Sequence, residues 1–337
     1  MSGEGQREAM RGNEASCLSR PSCHSCQKAP LASRAPHVSL VEKGVTRRFR
    51  LLAGPNGSGK TTLKRRLERD YAVNFYDFLN ADEIFAEVKE TGAYAPRLAI
   101  EPEALKAYVC ASSYDASVKA FFREGAIAVA DDCVRFTTPA SVNSYTVALL
   151  TAFLSAEHMR QGMSFSQETV FSHPSKVDAL ASAQAAGFRT YLYFVATEMP
   201  EINVGRVETR VGLGGHGVPP EKVIARHAQS IGQVSAALPH LSRAFFFDNS
   251  EQTMRYLASW SPEEGLACVD GVGLPAWFER LRPSFGAEAK LLPRGTAFET
   301  SAEAASREAV SRAFAAGLPI TVLQDGRVVR LKGDAAR

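Results

Sequence analysis

The chain lacks an apolar run of the roughly 18 residues needed to cross a bilayer, and no signal-type apolar core follows Met1. A membrane-spanning segment is therefore not expected, and the sequence reads as cytoplasmic. An excess of either charge is missing too: 39 Lys and Arg stand against 36 Asp and Glu, a net +3. That field is too weak to imply a nucleic-acid or membrane partner. Basic patches interleaved with aromatics, which a strand-tracking groove needs, are also absent. The six cysteines are too unevenly spread for a disulfide framework: Cys17, Cys23 and Cys26 lie near the start, while Cys110, Cys133 and Cys268 are scattered. Cys23-His24-Ser25-Cys26 with Cys17 has no second knuckle to close a zinc site. No internal repeat is visible. What remains is 45% hydrophobic and 22% charged over 337 residues, which excludes wholesale disorder and leaves room for one large domain or two modest ones.

Residues 1–45 mix Ser, Gly, Arg, Pro and Glu without apolar periodicity, so they are expected to be a disordered tail. From Arg47 the chain alternates between elements. Arg47 to Ala53 reads as a strand and Lys60 to Asp70 as an amphipathic helix, followed by a second apolar run from Val73 to Leu79 and a helix from Glu83. An insertion over about 91–162 is expected to hold helices at about 103–124 and 141–161, with extended chain from Ala126 to Phe136. A short strand ending at Glu168, a helix from Ser175, the aromatic strand Arg189 to Ala196, helices at 201–211 and 220–238, and the strand Ala244 to Asp248 complete the series. Strands alternating with helices predict a doubly wound parallel α/β sheet with helices on both faces, spanning 46–260. Residues 261–337 are expected to form a small C-terminal appendage, with a hairpin around Asp325-Gly326.

Gly54-Pro55-Asn56-Gly57-Ser58-Gly59-Lys60-Thr61 fits G-x-x-x-x-G-K-[ST], a phosphate-binding loop, and Thr62 continues it into the helix. In this arrangement backbone N–H groups wrap the β-phosphate and the helix N-terminus adds its partial positive charge. Lys60 reaches the β- and γ-phosphates and the Thr61 hydroxyl holds Mg²⁺, so ATP and Mg²⁺ are the expected cofactors. The loop follows an apolar strand and opens an amphipathic helix, the setting that separates it from a chance glycine-rich turn.

No N-K-x-D follows a late strand, where the chain has Asp248-Asn249-Ser250, so a GTPase is disfavoured. Leu213-Gly214-Gly215-His216-Gly217 follows a helix and does not fit the signature of an ABC ATPase. A small-molecule kinase needs a base for the acceptor hydroxyl, a polar group near Mg²⁺, and arginines to neutralise the phosphoryl in transit. Asp82, just past the second strand, is the candidate base, and capping of the helix at Glu83 is its bland alternative. Glu168 ends the third strand, placed to bind substrate or a water on Mg²⁺, or else simply solvated. Arg206 and Arg210 are four apart on a helix and share a face, as lid arginines would; the lid spans about 201–218, with Gly212 to Gly217 as its hinge. His216 is a weaker candidate for touching phosphate.

Together, L-L-A-G-P-N-G-S-G-K-T-T, N-A-D-E-I from Asn80, S-F-S-Q-E-T-V-F-S from Ser164, Y-L-Y-F-V-A-T-E from Tyr191, R-V-E-T-R-V-G-L-G-G-H-G-V-P from Arg206 and F-F-F-D-N-S from Phe245 resemble the zeta-toxin-like P-loop kinases over about 47–260. Members of that family phosphorylate the sugar of UDP-N-acetylglucosamine. The resemblance implies ATP and Mg²⁺ on Lys60 and Thr61, Asp82 as base, and Glu168 and Thr169 in the acceptor pocket. It also implies Arg206 as a lid arginine, with Arg210 and Arg226 competing for the second, and a protein antitoxin or regulator as partner. The 91–162 insertion and the Gly-Gly-His lid depart from the toxin core. The alternative is an ATP-binding or ATP-hydrolysing sensor without a small-molecule acceptor.

Overall fold

A computed structural model describes residues 46–215, 217–286, 288–295 and 307–333. The expected tail, its cysteines and His216 lie outside them.

The fold is an α/β P-loop architecture. Strand β1 (Arg48–Ala53) runs into the phosphate loop and helix α1 (Lys60–Tyr71), then β2 (Asp77–Asn80) and α2 (Ala81–Thr91) follow. After the insertion come β6 (Phe165–Thr169), α6 (Ser175–Ala185), β7 (Arg189–Ala196), α7 (Pro200–Gly212), α8 (Pro220–Ala237) and β8 (Arg243–Asp248). Strands β2, β6, β1, β7 and β8 pair in parallel in that order, so the first strand lies between later ones and its C-terminal end opens on a crevice. Side chains alternate across this sheet. Leu51, Leu192, Phe194 and Phe246 pack on one face with α6, α8 and α5 (Ser144–Gln161). Leu52, Tyr193, Val195 and Phe247 pack on the other with Leu63 and Leu67 of α1.

The sheet is wider than the sequence reading allowed. Strands β9 (Arg255–Ser261), β10 (Gly265–Val269) and β11 (Ala289–Leu292), with α9 (Ala276–Leu281) between the last two, extend it to eight strands, so the expected boundary at 260 falls inside β9. Prolines at 262, 275, 283 and 293 sit between these elements rather than marking their absence. Trp277 is fully buried, and its indole N–H donates to Asp248 Oδ1 at 2.9 Å, which ties α9 to the end of β8.

The insertion also differs in detail. Its first helical stretch is broken into α3 (Pro102–Ala111) and α4 (Ala116–Arg123), because Asp115 leaves the helix to accept from the Ser117 N–H at 2.8 Å. The extended stretch is a hairpin, β4 (Ile127–Ala130) and β5 (Cys133–Phe136), turning through Asp131 and Asp132 at φ 51° and 58°. With β3 (Ala93–Tyr94) it makes a separate three-stranded sheet. Helix α5 (Ser144–Gln161) starts at an Asn143–Thr146 capping box, and its buried His158 meets Asp77 Oδ2 at 2.8 Å, stitching the insertion to the base of β2.

Beyond β11, a helix over residues 307–315 and the antiparallel hairpin of β12 (Ile320–Gln324) and β13 (Arg327–Leu331) form their own small core of Ala313, Ile320 and Val322. This unit docks on α7. Gly205 lies so close that a Cβ there would stand 2.0 Å from Thr321 Oγ1, and one on Gly212 would stand 2.9 Å from Leu318. Gly212 therefore serves close approach, a correction to its reading as a hinge.

Candidate nucleotide site

The phosphate loop is shaped by backbone that only glycine adopts comfortably. Gly54 sits at φ +141°, where a Cβ would meet the Val195 carbonyl oxygen at 2.0 Å, and Gly59 at φ +99° admits Asn249 against the loop. Two asparagines hold the loop from outside. Asn203 of α7 donates to Asn56 O at 2.6 Å, and Asn249, just past β8, donates to Ser58 O at 2.8 Å. Neither was singled out from the sequence as a site residue. Their signal was a fully buried polar residue on α7 and the polar string closing β8.

The pairing registers put the chemistry in one row. Leu52 of β1, Glu168 of β6 and Asn80 of β2 are lateral neighbours, so Glu168 emerges beside the loop's end. Its carboxylate accepts from the Thr61 hydroxyl at 2.9 and 3.1 Å and from Asn80 Nδ2 at 3.4 Å, and stands 3.9 Å from Lys60 Nζ. Lys60 donates to Gly54 O at 2.9 Å and Pro55 O at 3.0 Å, which aims its ammonium into the loop. Burial pushes the Lys60 pKa down, an effect opposed by Glu168 and Asp82, and pushes the Glu168 pKa up, opposed by Lys60 and Thr61. Both charges are thus dehydrated beside a loop shaped for phosphate. The sequence offered Glu168 as a ligand of substrate or of a water on Mg²⁺, and the family resemblance placed it in the acceptor pocket; its oxygens lie on the Thr61 hydroxyl.

Asp82 lies in the first turn of α2. Its backbone N–H is capped by Asn80 Oδ1 at 3.0 Å, so Asn80 is the N-cap and the Asp82 carboxylate is left facing the cavity. Thr169 also lines the cavity, but its hydroxyl accepts from the Phe171 N–H at 3.1 Å and shapes the turn after β6.

One cavity of about 830 Å³ joins Lys60, Thr61, Thr62, Asp82, Glu168 and Thr169 to Arg206, Arg210 and Arg226. Both contenders for the second lid arginine therefore reach it. Arg206 does not stand as a mobile lid arginine. Its Nε donates to Thr321 O at 3.0 Å, Nη1 to Asn249 O at 2.5 Å and Nη2 to Glu251 O at 3.1 Å. Burial pushes its pKa down to about 10. Two of the three carbonyls follow β8, and the third belongs to the 307–333 unit, which the sequence left as an unplaced appendage.

Hard oxygen donors beside a phosphate loop fit Mg²⁺, which binds through one or two protein oxygens together with phosphates and waters. Thr61 and Glu168 supply that donor set here. Among the described residues, no helix is long and apolar enough to cross a membrane.

No known family profile matches the chain, and no curated protein matches it. Several solved structures are similar to it. A putative kinase from Chloroflexus aurantiacus shares 14% identity over 54% of this chain and 77% of its own, with a TM-score of 0.32. The PezAT chromosomal toxin-antitoxin system of Streptococcus pneumoniae shares 12% over 80% and 87%, at 0.39. The AvrRxo1-ORF1:-ORF2 complex with ATP shares 16% over 80% and 77%, at 0.40.

Proposed function

We propose that this chain is a Mg²⁺-dependent phosphotransferase that moves the γ-phosphoryl of ATP to a hydroxyl of a small metabolite. The observation that carries the reading is the convergence of Lys60, Thr61, Glu168 and Asp82 on one cavity at the C-terminal edge of the parallel sheet. Loop amides and the start of α1 hold the β-phosphate. Lys60 exchanges its two carbonyl partners for β- and γ-phosphate oxygens. Thr61, with Glu168 behind it, holds Mg²⁺, which neutralises charge on the phosphates when bound. Asp82 takes the proton of the acceptor hydroxyl, and Arg210 and Arg226 balance charge on the phosphoryl group.

The cavity also carries His173 and Lys176, in the segment that follows β6, which suit an acceptor that bears phosphate of its own. A nucleotide sugar such as UDP-N-acetylglucosamine meets that description. The test is transfer of label from γ-labelled ATP into a panel of nucleotide sugars and cell metabolites, with Lys60→Ala as control. A labelled product made by wild type and lost in the variant supports the reading, whereas free phosphate alone sinks it.

A second reading, an ATP sensor that signals to an antitoxin-like protein partner, is favoured by one observation. Arg206 spends its guanidinium linking the loop after β8 to the C-terminal hairpin, a route by which nucleotide occupancy reaches a surface element. Turnover to free phosphate that changes on adding the partner distinguishes it.

A further inference from the structure

The helix over 307–315 and the β12–β13 hairpin are not consumed by the chemistry above, yet they roof the same cavity. Ala309, Val310, Ala313, Ile320 and Val322 line it together with the phosphate loop. Apart from Arg312, which also lines the cavity, these residues give the unit an apolar face in a cavity whose other walls are rich in charge. The wall is tied to the segment that carries Asn249 and Gln252, because the Leu323 N–H donates to Ser250 O and Arg206 bridges Thr321 O to Asn249 O and Glu251 O.

The unit is latched at several points rather than laid loosely on the surface. Glu308 pairs with Arg66 at 2.9 Å and Arg69 at 3.4 Å, both on α1. The Leu323 N–H donates to Ser250 O at 2.8 Å, and the Thr209 hydroxyl to Pro319 O at 2.7 Å. Arg206 grips Thr321 O from α7. Every one of these bonds joins the unit to an element that borders the phosphate loop.

A nucleoside triphosphate bound with its β-phosphate in the loop and its γ-phosphate toward Asp82 sends its ribose and base away from Asp82, since they sit at the opposite end of the triphosphate chain. A base desolvated there needs a flat apolar surface, and binding sites for such ligands pair apolar walls with a few polar groups. Resting on the nucleotide reading above, we infer that the C-terminal helix and hairpin are the base-binding wall of the site, with Ala309 and Val310 against the nucleobase and Gln252 at its polar edge. The cavity stays continuous from Lys60 to Ile320, so the unit lines the site and does not plug it.

The test measures binding of ATP and of inorganic triphosphate, each with Mg²⁺, to the full chain and to two variants. Wild type should bind ATP at least about tenfold more tightly than triphosphate, since contacts worth about 1.4 kcal/mol give that ratio. Ala309→Trp, which fills the wall from a half-buried helical position, should cut the ratio to within about threefold while triphosphate binds as before. Glu308→Ala, which unlatches the helix from α1, should weaken ATP severalfold and leave triphosphate unchanged.

An unaltered ratio in Ala309→Trp overturns the inference while leaving the phosphate loop intact. Tighter ATP binding by Glu308→Ala also overturns it, because the unit would then be a blockade. If Ala309→Trp loses both ligands through misfolding, Glu308→Ala decides. Failure of wild type to bind triphosphate at all defeats the nucleotide reading itself, an outcome distinct from the other two.

Discussion

Replacing Arg206 with lysine separates two roles for this residue. In the structure each of its three nitrogens serves a different carbonyl, those of Thr321, Asn249 and Glu251, at 3.0, 2.5 and 3.1 Å. A lysine keeps the charge but offers one nitrogen where the fork had three, so about two carbonyls lose their partner. At about 0.5 to 1.5 kcal/mol for each hydrogen bond lost, the cost is about 1 to 3 kcal/mol. Because one carbonyl belongs to β12, part of the effect should be local. Urea unfolding should show the stability loss, and hydrogen exchange should show reduced protection of the amides in β12 and β13. If stability changes by less than about 0.5 kcal/mol, the range of an ordinary surface substitution, and exchange is unaltered while phosphoryl transfer alone is impaired, then Arg206 is a mobile lid arginine and the argument fails.

Four further outcomes follow from the same geometry. Gly54→Ala places a Cβ 2.0 Å from the Val195 carbonyl at φ +141°, and should cost more than about 3 kcal/mol in unfolding experiments. Gly232→Ala in α8, where a Cβ meets nothing within 4 Å, should instead gain about 0.5 to 1 kcal/mol. Burial holds the pKa of His227 below its ordinary value, outweighing the help of its hydrogen bond to Thr197 O. The unfolded chain therefore binds the extra proton first, so stability should fall as pH drops below about 6.5. Urea midpoints at pH 7.5 and 5.5 should differ less in His227→Gln than in wild type. Glu168→Gln should raise the Mg²⁺ concentration for half-maximal ATP turnover by about tenfold or more, read from a Mg²⁺ titration.

The phosphate loop was legible because its spacing dictates its geometry, and the aromatic strand Arg189 to Ala196 because a buried parallel strand has few other sequences. Glu168 and Asp82 were found as strand-end carboxylates, but which atom each faces depends on register, and register is set between strands distant in sequence. The asparagines that brace the loop were missed for the same reason, as Asn203 and Asn56 lie 147 residues apart. Arg206 was read from its helical spacing with Arg210, a local signal that carries no information about a hairpin more than a hundred residues away. Strands β9 to β11 escaped because prolines between them obscured their short apolar runs.

The most direct test of the central claim compares wild type with Asp82→Asn for transfer of the γ-phosphoryl to the acceptor and for ATP affinity, side by side. Loss of a positioned general base should lower transfer by about 10²- to 10⁴-fold. ATP affinity should hold, since the exposed Asp82 carboxylate faces the cavity and is not part of the phosphate loop. Transfer at the wild-type rate, or a loss of ATP binding that accounts for the whole defect, would contradict the assignment of Asp82 as the base and with it the proposed phosphotransferase.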